Sequence, residues 1–226
     1  METITPAMQE YLAEIYRIAS YQSDPYVSTS VLADRLKRSA PAIVRMASRL
    51  REEGCIEHEL YRGIRLTPQG EAQALLNIRR HRIVEVFMVK VMGFGWEEIH
   101  DEADALARNV SEAVLARMEA MTNYPRRCPH GEPIPSADGH IIIPRDFPLV
   151  ELEPICELTI SRVNTHDAEK LSYLNQIHLT PGQEIDLLAR QPFNGPLRLR
   201  IGRDEQVIGA ELAGALRVSY RAEYQP

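Results

Sequence analysis

The sequence predicts an α+β protein: an N-terminal winged helix-turn-helix, a helical middle and a small C-terminal β-barrel. Three observations lead there. Helix-period apolar patterns dominate the chain up to about residue 121. Two short β-like stretches interrupt them just after Gly54. Beyond Leu149 the texture becomes a series of short strands divided by Gly and Pro turns, which suits a compact barrel. The modules so read are 1–75, 76–146 and 147–226.

In order, Pro6 to Tyr21 reads as a helix, with Tyr11, Leu12, Ile15, Tyr16 and Ile18 at helical period, and QSDPY breaks it. Ser28-Thr29-Ser30 offers N-caps for VLADRL. Ser39 can cap APAIVRMASRLREEG, where Pro41 sits near the start at little cost and Gly54 supplies the C-terminal stop. CIEHELY and GIRLT, joined at Tyr61-Arg62-Gly63, read as a hairpin. A helix then starts at Thr67-Pro68-Gln69-Gly70 and runs towards Met92. Gly93 and Gly95 separate it from another that carries His100 and extends to about Met121. PRRCPHGEPIPSADGH is a Pro- and Gly-rich connector. The last module holds PICELTISRV, a short helix DAEKLSYLNQI, and the β-like stretches EIDLLAR, LRLRI and VIGAELAGALRVSY.

Composition narrows the class. The hydrophobic fraction of 44% and charged fraction of 26% are those of an ordinary globular chain. There is no apolar run of membrane-span length and no secretory leader pattern. Cys55, Cys128 and Cys156, an odd number at irregular spacing, do not make a disulfide framework and fit a reducing cytoplasm. The net charge of −6 hides a basic segment: Val31 to Arg51 holds six basic residues against the single acid Asp34, a local charge of +5. That footprint is compatible with phosphate contact. In a helix-turn-helix the second helix meets base edges with its N-terminal residues. Here those are Ser39, Pro41, Ala42 and Arg45, with Ala42 suited to a thymine methyl and Arg45 to guanine or phosphate. Arg62 at the hairpin tip can reach the DNA backbone or minor groove.

A second chemistry follows downstream. His81 and Glu85 are four residues apart in one helix-like run, and His100 and Asp104 repeat the spacing in the next, so each pair shares a helix face. Cys128 and His130 follow in the connector. Imidazole, carboxylate and thiolate together suit a transition metal.

The stretches EYLAEIYRI, LADRLKRSAPAIVRMASRL, GIRLTPQGEA, RRHRIVE, IHDEA and CPHGEPIP resemble the diphtheria-toxin-repressor family of metal-dependent transcriptional regulators, near its manganese-responsive members. The last third resembles the SH3-like (FeoA-like) domain that many members carry. The resemblance implies a cytoplasmic homodimer that binds a double-stranded DNA operator under metal control, with Mn(II) as effector and Fe(II) as the alternative. It implies one metal site at Glu85, Cys128, His130 and Asp167, with His166 and Glu169 beside Asp167 as other candidates. It implies a second at Glu10, His81 and Asp104, with His100 a ligand of the iron-responsive branch. The chain departs from the family pattern after Asp104: the next two ligand positions are Ala107 and Arg108, which cannot ligate. Carboxylates at Glu10 and Asp104 favour Mn(II) over softer iron-type binding. The expected outcome is repression of metal-uptake genes.

Two other readings stand beside it: a winged-helix regulator answering a non-metal ligand or redox signal, and a thiol hydrolase using Cys128 and His130. No oxyanion or substrate motif accompanies that pair, so no enzyme and no small organic substrate are expected.

Overall fold

A computed structural model of the chain describes residues 4–225. It divides into two compact units. One runs to His81 and takes in Pro135–Ile141; the other holds Arg82–Ile134 and the chain from Ile142 onward.

The first unit opens with α1 (Pro6–Ala19), capped by Thr5, whose hydroxyl accepts from the Met8 amide. Next come α2 (Thr29–Leu36), capped by Ser28, and α3 (Ala40–Glu52). In α3, Ile43, Ala47 and Leu50 are buried at helical spacing, while Val44, Arg45 and Arg49 face outward. Strands β1 (Ile56–Glu59) and β2 (Gly63–Leu66) pair antiparallel as the wing. The wing is pinned to the turn before α2 by a bridge between Val27 and Ile64. Gly63 allows this: a Cβ there would lie 2.4 Å from the Val27 carbonyl oxygen. Met8, Leu12, Ile15, Leu32, Ile43, Leu50 and Ile64 close one core. Burying each such side chain stabilises the module by roughly 1.5–3 kcal/mol.

Helix α4 (Pro68–Phe87) starts in this unit and ends in the other, so the division falls inside one continuous helix. It passes into a π-helical turn at Met88–Met92 that stops at Gly93, with φ +80°.

In the second unit, the single helix expected from His100 to Met121 is two. Helix α5 (Ile99–Ala107) ends at Arg108, and α6 (Glu112–Met121) restarts where the Ser111 hydroxyl accepts from the Val114 amide. A serine that can cap its own new helix competes with the continuing helical period. Ile83, Val84, Met88, Ile99, Ala103, Ala107, Leu115 and Met118 form the core between them.

The C-terminal module is a six-stranded antiparallel sheet in the order β3-β8-β4-β5-β6-β7. Its strands are β3 (Phe147–Pro148), β4 (Ile155–Val163), β5 (Glu184–Arg190), β6 (Leu197–Ile201), β7 (Asp204–Ile208) and β8 (Leu216–Tyr220). Helix α7 (Ala168–Gln176) connects β4 to β5. The stretch VIGAELAGALRVSY, expected as β, breaks into the end of β7, a short helix α8 (Ala210–Gly214) and β8. Register shifts within the β4–β5, β4–β8 and β5–β6 pairings mark bulges, which bend the sheet in the SH3-like manner. Leu158, Ile160, Leu187, Leu199, Leu216 and Val218 lie at its centre, and Trp96 packs against the same core. No helix among the described residues is long and apolar enough to cross a membrane.

Candidate metal centre

The centre is assembled around Glu85, in the last turn of α4, where its carboxylate is buried at 2% exposure. Its neighbours Ile83, Val84 and Val86 are also buried, so the helix is apolar around the acid and cannot turn it to water. Burying a charge in this way requires compensation.

The connector supplies the other donors. Its segment closes on itself: the Ile134 amide donates to the Arg126 carbonyl at 2.8 Å and the Cys128 amide to the Glu132 carbonyl at 2.9 Å. Between them Gly131 donates to the Cys128 carbonyl at 2.9 Å, making a tight turn. Gly131 has φ +84°, and a Cβ there would lie 2.2 Å from the Ser161 carbonyl oxygen, so only glycine lets the loop approach β4 this closely. The Val163 amide then donates to the His130 carbonyl at 2.9 Å, docking the loop on the strand.

This places Cys128, His130 and Glu85 together, with one donor atom from each within 4.8 Å of the others, all buried. The His130 ring is oriented from behind. Its Nε2 lies 2.9 Å from the Trp96 carbonyl oxygen, which can only accept, so Nε2 carries the proton. That turns Nδ1 towards the Glu85 carboxylate, 3.5 Å away. A backbone carbonyl fixing the far nitrogen of an imidazole is the usual support of a metal ligand. Burial, followed by the charge of Glu85, pushes the Cys128 thiol well above its ordinary range, against the pull of Arg82. A bound cation is what converts such a thiol to thiolate. The donor chemistry thus fits a transition-metal ion.

His100, at the start of α5, points Nδ1 at the same Glu85 oxygen, 3.9 Å away. Its ring stacks on His166, with centroids 3.8 Å apart and planes 25° from parallel. His166 is also 5.9 Å from the His130 ring. His81 stands one turn before Glu85 on α4 and is buried. Asp104 is half-buried on α5, and Glu10 is half-buried on α1 in the first unit. Asp167 is exposed and caps α7, its Oδ1 accepting from the amides of Glu169 and Lys170 at 3.0 and 3.1 Å. Of the C-terminal candidates, His166 is the one whose ring approaches the donors. Ala107 is buried in the helical core and Arg108 caps α5.

Beside the centre runs a network that sequence reasoning missed. Arg162 of β4 grips Asp146 through two bonds of 2.7 and 2.8 Å, and Arg217 of β8 adds one of 2.6 Å. Arg162 also reaches Glu132 at 3.3 Å, and Arg82 of α4 meets the same carboxylate at 3.2 Å. Glu132 lies inside the CPHGEP motif and was visible there; its partners are set by tertiary packing.

On the first unit, Ser39, Pro41 and Arg45 are exposed and Ala42 half-buried along the first turns of α3. Ser39 occupies the N-cap without a side-chain capping bond, leaving its hydroxyl free of that duty. Arg62 at the wing lies over the Tyr26 ring at 3.9 Å and pairs with Glu59 at 3.4 Å.

A winged helix-turn-helix, a helical module, an SH3-like module and a buried Glu-Cys-His group in one chain define the class of metal-dependent DNA-binding regulators. Comparison with known families specifies it. Residues 3–64 match the iron dependent repressor N-terminal DNA binding domain, 67–136 the iron dependent repressor metal binding and dimerisation domain, and 147–220 the FeoA domain. The chain belongs to the diphtheria-toxin-repressor family of metal-dependent transcriptional regulators. The iron-dependent repressor IdeR of Mycobacterium leprae is 33% identical over 135 residues, covering 60% of this chain; the chain spans 58% of that relative's length. The diphtheria toxin repressor of Corynebacterium efficiens is 25% identical over 201 residues, covering 84% of this chain and 86% of that one. The solved structure of a manganese-dependent transcriptional repressor in complex with manganese has a TM-score of 0.87 at 33% identity, covering 94% of this chain and 99% of that one. The manganese regulator SloR gives a TM-score of 0.75 at 28% identity, covering 94% of this chain and 98% of SloR.

Proposed function

We propose that the chain is a Mn(II)-activated repressor that binds duplex DNA as a homodimer in the cytoplasm and controls metal-uptake genes. One observation carries the reading: the buried Glu85–Cys128–His130 donor group, with the His130 ring held at Nε2 by the Trp96 carbonyl. Those three residues hold the effector. His81, His100, Asp104 and Glu10 form the secondary donors; Asp167, the acid that the family resemblance offers from the C-terminal module, is engaged in capping α7.

When bound, the ion supplies the positive charge that a buried carboxylate and thiolate require. The protein does the rest. The connector carries Cys128 and His130, and β4 holds that loop through the Val163 amide. Metal binding then draws donors on α4, on the loop and on α5 towards one arrangement of the second unit. Preference of the effector for that arrangement shifts the population towards the DNA-competent dimer. On the DNA side Ser39, Pro41 and Ala42 meet base edges, Arg45 reads guanine or holds phosphate, and Arg62 contacts the backbone from the wing.

Manganese is supported by the two solved relatives named as manganese regulators and by the carboxylates of Glu10 and Asp104, which are hard donors. Fe(II) is the second reading. The Cys128 sulfur, a softer donor, and the mycobacterial relatives named as iron-dependent favour it.

The test is a binding isotherm. Duplexes selected from a random library in the presence of Mn(II) supply the operator. Fluorescence anisotropy then follows binding as Mn(II) or Fe(II) is added and reversed with chelator. Metal-dependent binding is expected; equal affinity with and without metal would refute the proposal.

A further inference from the structure

We infer that Arg162 is a positioning residue of the metal centre: through Glu132 it holds the loop of Cys128 and His130 in place, so that β4 sets metal affinity through a salt bridge. This rests on the metal-centre reading above and extends it to residues that donate nothing to the ion.

The inference starts from an irregularity in β4. In a regular strand residues two apart share a face, so Arg162 would follow Leu158 and Ile160 into the core of the sheet. Ser161 is an extra residue: Ile160 pairs with Val218 and Arg162 with Arg217, two steps along β4 against one along β8. The bulge brings Val163 into the core instead and leaves the Arg162 guanidinium for the connector. Arg162 also stands opposite Arg217, and like charges across a sheet repel. Asp146 answers both, taking Nε and Nη2 of Arg162 at 2.7 and 2.8 Å. One carboxylate cannot neutralise two guanidiniums, and the remaining nitrogen, Nη1, goes to Glu132, 3.3 Å from each carboxylate oxygen.

Glu132 carries this contact to the donors. Its main-chain carbonyl accepts from the Cys128 amide at 2.9 Å, and it lies two residues after His130. Its side chain, 16% exposed, is met from α4 by Arg82 at 3.2 Å, one turn before Glu85. Arg82 also donates to the Pro133 carbonyl. Beside Arg162, the Val163 amide holds the His130 carbonyl. The loop that brings two donors is thus tied by charge to the helix of the third and to β4. A buried ion pair adds little net stability over an apolar pair; here it fixes geometry. A loop ordered in advance spares the ion the cost of ordering it.

The full-length protein is stripped with chelator, and its Mn(II) affinity is measured by competition with a fluorescent chelator. Glu132→Gln and Arg162→Met are each expected to weaken binding about 10-fold. The double variant is expected to bind no more weakly than Glu132→Gln, because Arg162 acts through that carboxylate. In the metal-free Glu132→Gln protein, hydrogen exchange is expected to be faster at the Cys128, Gly131 and Ile134 amides and unchanged at Leu199 in β6. Arg217→Met, whose contacts are with Asp146, is expected to lower the urea midpoint and keep the wild-type affinity. Unchanged affinity in either single variant, multiplied losses in the double variant, or an equal loss in Arg217→Met overturns the positioning role and leaves the metal centre intact. No Mn(II) binding by the wild type overturns the metal centre itself. Arg162→Lys, which keeps the charge but not the fork that spans two carboxylates, takes the place of a misfolded Arg162→Met and is expected to weaken binding in the same way.

Discussion

Asp146 and Glu85 are both carboxylates closed off from water, with side chains 0% and 3% exposed, and their surroundings differ in kind. Asp146 is gripped by the guanidiniums of Arg162 and Arg217. Its charge is neutralised by groups that never lose their own. Glu85 faces the ring nitrogens of His130 and His100 and the Cys128 thiol, groups that carry lone pairs. The first arrangement pairs charge with charge. The second brings metal-type donors together. Two buried acids in one unit therefore differ in role: Asp146 ties β4 to β8, and Glu85 is the acid to which the proposed effector site is assigned.

The largest effect expected from this contrast is at Asp146. Asp146→Ala leaves two arginines without their buried counter-charge, and the metal-free protein is expected to lose about 3–5 kcal/mol in urea unfolding. The pH dependence has a definite sign. Burial pushes the Asp146 carboxyl up, but the hydrogen bonds and charges of Arg162 and Arg217 outweigh it and hold the group below its usual range. A lowered folded-state value contributes stability that is present above the unfolded value of about 3.9 and lost as pH falls through the folded one. Asp146→Asn is expected to flatten the acid limb of an unfolding profile. An unchanged urea midpoint in Asp146→Ala would erase the distinction between the two carboxylates.

Next in size is Glu85→Gln. The change is nearly isosteric and removes a buried charge, so the metal-free protein is expected to keep its urea midpoint or gain slightly. Metal affinity, measured by competition with a fluorescent chelator, is expected to fall at least about 100-fold, or about 2.7 kcal/mol. A loss of metal-free stability comparable to that of Asp146→Ala would mean that Glu85 is structural as well.

The two carboxylates also differ in how far the sequence disclosed them. Glu85 was legible because its partners lie in short motifs: HRIVE sets His81 and Glu85 one turn apart, and CPHG joins Cys128 and His130. Asp146 was not, since its arginines are 16 and 71 residues away and only strand pairing unites them. The same divide runs through the fold. Ser39, Pro41 and Gly54 bounded α3 because caps and stops are local chemistry. The break between α5 and α6 was hidden, because Ser111 caps a new helix inside a run whose apolar period hardly changes. His166 was named only as one of three neighbouring candidates, for a tertiary reason: its approach to His100 depends on where α5 and the end of β4 lie, and nothing in NTHDAEK separates it from Asp167 and Glu169.

The smallest effect discriminates most sharply between local and tertiary roles. Asp167 was read as a metal-type carboxylate, and in the folded chain its Oδ1 accepts two amide protons at the start of α7. A cap of this kind contributes about 1 kcal/mol. Asp167→Ala is therefore expected to lower the urea midpoint by about that amount and leave the metal count unchanged, whereas Asp167→Asn, which can still cap, leaves both as they were. Retained stability with a lost ion would reverse the assignment, because a carboxylate that ligates would have to leave the helix end when metal binds. The cap and the ligand roles make opposite demands on one carboxylate, so the pair of substitutions separates them even though each shift is small.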